Sequence, residues 1–70
     1  MEGEIIWRKR EPILDVCIEL VLSENMYYVR SLSSRGVYME YAGILDKEAL
    51  DIAKKLFIET CTRKIKHHNY

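Results

Sequence analysis

The chain has 70 residues, 49% apolar and 31% charged, with eleven Lys/Arg matched by eleven Asp/Glu. That length holds one domain, and three Gly with one Pro exclude a low-complexity, unstructured composition. A net charge of zero argues against a dedicated nucleic-acid binder, which needs a basic excess to displace counterions from phosphates. Domains this small bury only about 60% of their unfolded surface, so a partner subunit is an expected source of extra stability.

Other exclusions follow from local composition. Met1-Glu2-Gly3-Glu4 lacks the basic start of a secretory signal. The longest apolar run, Ile13 to Leu22, is broken by Asp15 and Glu19 and falls short of the roughly 20 residues that span a bilayer. A cytoplasmic, non-membrane protein is the expectation. Cys17 and Cys61 are too few for a disulfide framework, so both are expected as reduced thiols.

In chain order, residues 4–10 alternate loosely, with Ile6, Arg8 and Arg10 against Ile5, Trp7 and Lys9. Residues 1–12 therefore read as an edge strand or an arm. In Ile13–Leu22 a strand would place Leu14, Val16, Ile18, Leu20 and Leu22 on one aliphatic face, and Asp15, Cys17 and Glu19 on the other. A helix beginning at Pro12 fits the same residues, giving β-α-β-β-α order. The strand is favoured, because that helix would be apolar around most of its circumference. Met26–Leu32 and Val37–Tyr41 are β-branched and aromatic, and Ser33-Ser34-Arg35-Gly36 between them gives a hairpin.

Asp46 is expected to N-cap a helix from Lys47 to Thr62. Its apolar stripe is Leu50, Ala53, Phe57 and Cys61, flanked by Ala49 and Leu56. Asp51, Lys55, Glu59 and Arg63 make a solvated ladder of alternating sign. Lys64 falls on the stripe, so core packing should end near Thr62 and residues 63–70 form a basic tail or a frayed helix end. The fold expected is a single α+β domain: an antiparallel meander of three strands, or four with the N-terminal segment, packed against one C-terminal helix.

Catalysis is not expected, for want of a phosphate loop, an HExxH pair or a nucleophile elbow. No cofactor or small-molecule substrate is indicated. Cys17, Cys61, His67 and His68 lack the paired spacing of a metal site. The sheet face away from the helix is the more informative surface, with Asp15, Cys17, Glu19, Tyr28, Arg30, Tyr38 and Glu40 pointing outward. Val37, Met39 and Tyr41 are expected to point inward with Tyr27 and Val29. Tyrosines on an open sheet suit base stacking or protein contact. Three carboxylates against one arginine, net −2, repel phosphate and favour protein. Tyr28, Arg30, Tyr38, Glu40 and Cys17 are thus interface candidates. Ile58 and Ile65, outside the helix stripe, would continue an apolar seam to a second subunit.

The rival reading uses the basic ends. Trp7, Arg8, Lys9 and Arg10 with Arg63, Lys64 and Lys66 hold six of the eleven positive charges and would form a phosphate-binding patch if the fold joined them. The meander-then-helix order over Met26–Phe57, with Tyr27-Tyr28 near a strand start, resembles the arm-site DNA-binding domains of phage-type tyrosine recombinases. That resemblance implies a DNA-binding sheet, but those sheets are basic where this one carries Asp15, Glu19 and Glu40. Double-stranded-RNA-binding domains end in a similar meander and helix. They place a basic cluster at the final helix's N-terminus, where this chain has Asp46, Lys47 and Glu48. The reading preferred is a small non-enzymatic adaptor, regulator or inhibitor acting by protein–protein contact, expected as a homodimer.

Overall fold

The computed structural model describes residues 3–68, with side chains throughout that span except at residues 38–42 and 67–68. Four strands, β1 (Glu4–Glu11), β2 (Val16–Ser23), β3 (Met26–Ser33) and β4 (Gly36–Ala42), precede one helix, α1 (Asp46–His68). The strands form a single antiparallel meander in the order β1-β2-β3-β4, with the helix on one face. This is the α+β layout expected from the sequence in its four-stranded form. Among the described residues no helix is long and apolar enough to cross a membrane.

The β2 segment is extended from Val16, and Pro12–Asp15 form the turn before it. Val16, Ile18 and Leu20 meet Ala49, Ala53 and Leu56 of the helix, with Val29 from β3 completing the buried cluster. Ala49 and Ala53 are wholly buried; their small side chains let the helix axis approach the sheet closely. Trp7, Leu14, Tyr27, Ile44, Leu50, Phe57 and Cys61 close the rim of this core. The predicted ladder of Asp51, Lys55, Glu59 and Arg63 is exposed.

The turns explain how a short chain keeps its register. Glu24 and Asn25 have φ of 52° and 64° and join strands paired at Ser23↔Met26. Two consecutive left-handed residues are the signature of a type I′ hairpin, whose twist matches the strands it connects. At the other end of the sheet Asp15 has φ 56° and its carboxylate reaches the β3–β4 turn. It accepts from Ser34 N at 3.0 Å and Ser34 Oγ at 2.7 Å, tying two hairpin turns together.

Four expectations need correction. First, β1 carries a bulge: Ile5 pairs with Val21 and Trp7 with Leu20, so Ile6 is the extra residue and Ile5 joins Arg8 and Arg10 on the face away from the helix. Second, a similar slip in β4 pairs Ser31 with Met39 and Leu32 with Val37, leaving Tyr38 as the extra residue. Val37 therefore shares the outer face with Leu32 and is 55% exposed, not inward as simple alternation implied. Third, the helix continues past Thr62 to His68. Lys64 belongs to the stripe because its Nζ donates to the Leu14 and Asp15 carbonyls at 3.0 and 3.1 Å, while its stem covers apolar surface. Fourth, the first helical carbonyl is that of Leu45, which accepts from Ala49 N at 2.9 Å. Leu45 thus occupies the N-cap, and Asp46 sits in the first turn with Glu48, where carboxylates suit the helix dipole. Burial, with the Asp46 carboxylate adding to it, pushes the pKa of the Tyr27 phenol up.

Candidate functional site: the uncovered sheet face

With the helix on one face, the reverse of the sheet carries no further element among the described residues. Strand pairing organises it into rows that run across the strands. The central row is Arg8↔Glu19↔Arg30↔Glu40, charges alternating in sign from β1 to β4. Toward the β2–β3 hairpin lies Ile5↔Val21↔Tyr28↔Ala42, and toward the opposite end Arg10↔Cys17↔Leu32↔Val37.

Glu19 is the pivot of the central row. Arg8 donates to its Oε2 through Nη2 at 2.6 Å and Nε at 2.9 Å, and Arg30 Nη2 donates to Oε1 at 2.7 Å. The Glu19 side chain is 3% exposed, against 49% for Arg8. Burial alone would raise the Glu19 carboxyl, but hydrogen bonds and charge from Arg8 and Arg30 outweigh it and hold the pKa below its ordinary value. A buried carboxylate is tolerated here because both oxygens are satisfied by guanidinium donors. Among the described residues Arg30 Nε is buried without a hydrogen-bond partner.

Arg8 and Arg10 on β1 alter the charge expected of this face. By ladder position three arginines (8, 10, 30) now stand against Glu19 and Glu40; with Asp15 in the adjoining turn the count is zero instead of −2. Apolar groups flank the charged row. Ile5, Met26 and Val37 are exposed, and Tyr28 and Leu32 are half-buried. An open groove of about 390 Å³ at the turn end is lined by Arg8, Arg10, Cys17, Glu19, Leu32 and Ser34, among others.

The interface candidates distribute unevenly. Cys17, Tyr28 and Arg30 do share this face. Glu40 is opposite Arg30 in the ladder and Tyr38 lies at the β4 bulge, while their side chains fall outside the described residues. Ile58 and Ile65 are exposed on the helix, at 64% and 50%, away from this surface. Sequence reasoning missed Ile5, Leu32, Val37 and Arg8 as members of the face. The two bulges hid Ile5 and Val37, Arg8 depended on the β1 register, and Leu32 simply continues the alternation of Tyr28 and Arg30.

Among the nucleic-acid candidates, Trp7 is half-buried in the core rim and Arg8 is committed to Glu19. Lys9 Nζ lies 5.0 Å from the Phe57 ring centroid on the helix side, and Lys64 is taken by two carbonyls. Arg10, Arg63 and Lys66 are exposed. The helix end does reach the β1–β2 turn, yet the sheet separates Arg8 and Arg10 from Lys9 and Lys64.

Cys17 and Cys61 are both free and stand on opposite faces of the sheet. Burial raises the Cys17 thiol, with Glu19 adding to it; burial also raises Cys61, with Glu11 adding. Both are therefore protonated at neutral pH and weak as nucleophiles. Among the described residues no three His, Cys, Asp or Glu converge as a metal site.

Comparison with known proteins returned no matching family model, no matching curated protein and no matching solved structure.

Proposed function

We propose that the protein is a small non-catalytic binding module, an adaptor, regulator or inhibitor, acting by protein–protein contact through the uncovered sheet face and associating with itself. The observation that carries this reading is the composition of that face. A charged row alternates in sign across the four strands, with Glu19 held by Arg8 and Arg30. It is bordered on both sides by exposed apolar side chains, Ile5 and Met26 at one end and Val37 at the other. Exposed apolar surface around a fixed polar centre is what protein partners cover.

Two features support protein over nucleic acid as the partner. Arg8 is held to Glu19 through two of its three guanidinium nitrogens and Lys64 to two carbonyls, and Trp7 packs in the core rim instead of offering a ring for base stacking. The non-catalytic reading is supported by a groove that lies open to solvent. It is supported too by Cys17, Glu19 and Asp15, each held in an unreactive state.

Sedimentation velocity over a concentration series tests the reading. The chain is expected at twice its own mass at high concentration, with Tyr28→Ala and Val37→Asp shifting it to monomer at unchanged circular dichroism. A chain that stays monomeric throughout, or whose dimer ignores both substitutions, contradicts it.

A further inference from the structure

Accepting that reading of the face, we infer that its occupant is a second copy of this chain, packed sheet to sheet about a twofold axis that runs parallel to the strands between β2 and β3. The argument comes from the row pattern. Such an axis keeps each row at its own height and reverses its order, so β1 of one chain lies over β4 of the other.

The central row reads plus, minus, plus, minus from Arg8 to Glu40. Reversed on itself, it sets the Arg8 position over the Glu40 position of the other copy, and Glu19 over Arg30. Every position then meets its opposite sign. In the row nearer the β2–β3 hairpin apolar falls on apolar, Ile5 over the Ala42 position and Val21 over Tyr28. At the turn end Cys17 falls over Leu32, and the aliphatic stem of Arg10 over Val37. The alternative twofold, running across the strands, leaves the central row unreversed and sets each charge over its own like. It also brings Ile5 onto Arg10. A self-contacting patch must complement itself, and only one of the two axes achieves that here.

Two aligned sheets pack roughly 10 Å apart at about −30°, a geometry that places the centre of the ladder at the contact. Glu19 is already buried and held within its own chain by two arginines, so covering the row desolvates no further charge at that position. Arg8 holds Glu19 through Nε and Nη2 but is half exposed, so its remaining nitrogen, Nη1, is the donor placed to reach across. Four strands about 4.8 Å apart and eight residues at about 3.4 Å each give roughly 500 Å² per chain, about 1,000 Å² per pair, the low end for specific interfaces. The association is therefore weak, and sedimentation at hundreds of micromolar is the regime in which to look.

The experiment mixes two charge reversals. Arg8→Glu alone sets two acidic side chains against each other at each end of the central row, and Glu40→Arg alone sets two basic ones. An equimolar mixture of the two variants pairs opposite signs at both ends. Each variant alone is expected to dimerise about tenfold more weakly than the unmodified chain, and the mixture to recover that loss as a heterodimer. Because Arg8→Glu also removes an internal partner of Glu19, folding is checked by circular dichroism. A second measurement needs no substitution: in a mixed-label sample of the unmodified chain, an intermolecular NOE joins the Val37 methyls to the Arg10 side-chain methylenes. Within one chain those positions lie three strands apart, about 14 Å, beyond NOE reach.

An unmodified chain that dimerises, loses the dimer on Val37→Asp, and yet shows neither heterodimer recovery nor the NOE overturns this arrangement while leaving the face as the binding surface. An unmodified chain that is monomeric at hundreds of micromolar overturns the self-association itself.

Discussion

The two faces of this sheet bury their residues by different means. Under the helix, Ile18, Leu20 and Val29 are covered by a second layer, and the small Ala49 and Ala53 let that layer sit close. On the reverse no described element lies over Glu19 or Val21, yet both are buried. Their cover comes from the side, from long side chains on neighbouring strands: Arg8 and Arg30 close over Glu19, and Ile5 and Tyr28 flank Val21. Burial on an open sheet face can thus be built from cross-strand neighbours alone, and it leaves an outer shell of guanidinium and apolar groups that a partner can meet.

Substitutions should separate the two kinds of burial. Ile18→Ala empties a site under the helix and is expected to cost about 3–4 kcal/mol in urea unfolding, enough to unfold much of a small domain. An effect under about 1 kcal/mol, below the usual range for such a truncation, would mean the helix does not seal that face. Glu19→Gln keeps the shape but leaves two guanidiniums facing a neutral amide, at an expected cost of about 2 kcal/mol. A neutral outcome would show that the ion pairs do not order the reverse face.

The pH dependence sharpens the same point. The Glu19 carboxyl is held below its ordinary pKa, so its contribution is complete above the unfolded value of about 4.3 and is lost as pH falls through the depressed folded value. The stability gap between the unmodified chain and Glu19→Gln should be flat above about pH 5 and shrink below about pH 4. A gap that grew in acid would contradict the assignment. Smallest of all, Ile58→Ala on the exposed helix flank should change stability by less than about 0.5 kcal/mol and leave association intact.

Much of this architecture was legible in the residues. The β3–β4 hairpin, the aliphatic alternation of Val16, Ile18 and Leu20, and the helix stripe follow from patterns whose period is fixed by backbone geometry. The short Ser23-Glu24-Asn25 link suits a continuing meander, but its two-residue turn at Glu24-Asn25 emerges only from the Ser23↔Met26 pairing. What escaped were departures from strict period two. Bulges at Ile6 and Tyr38 each displace the alternation by one, and nothing in Ile5-Ile6-Trp7 or Val37-Tyr38-Met39 marks where the slip falls. That slip put Val37 on the reverse face and added Ile5 to it. The role of Arg8 was hidden for a different reason: its partner is eleven residues away and depends on the β1 register. Lys64 looked like the end of core packing, because a lysine on an apolar stripe shows its function only when the carbonyls it caps are in place.

The central claim, that the reverse of the sheet is the surface this protein uses, is tested most directly by methyl-resolved NMR over a dilution series. The methyl signals of Ile5, Leu32 and Val37 are predicted to move with concentration while those of Ile58 and Ile65 hold still. Shifts confined to Ile58 and Ile65, with the sheet-face methyls unmoved, would place the contact on the helix and contradict the account.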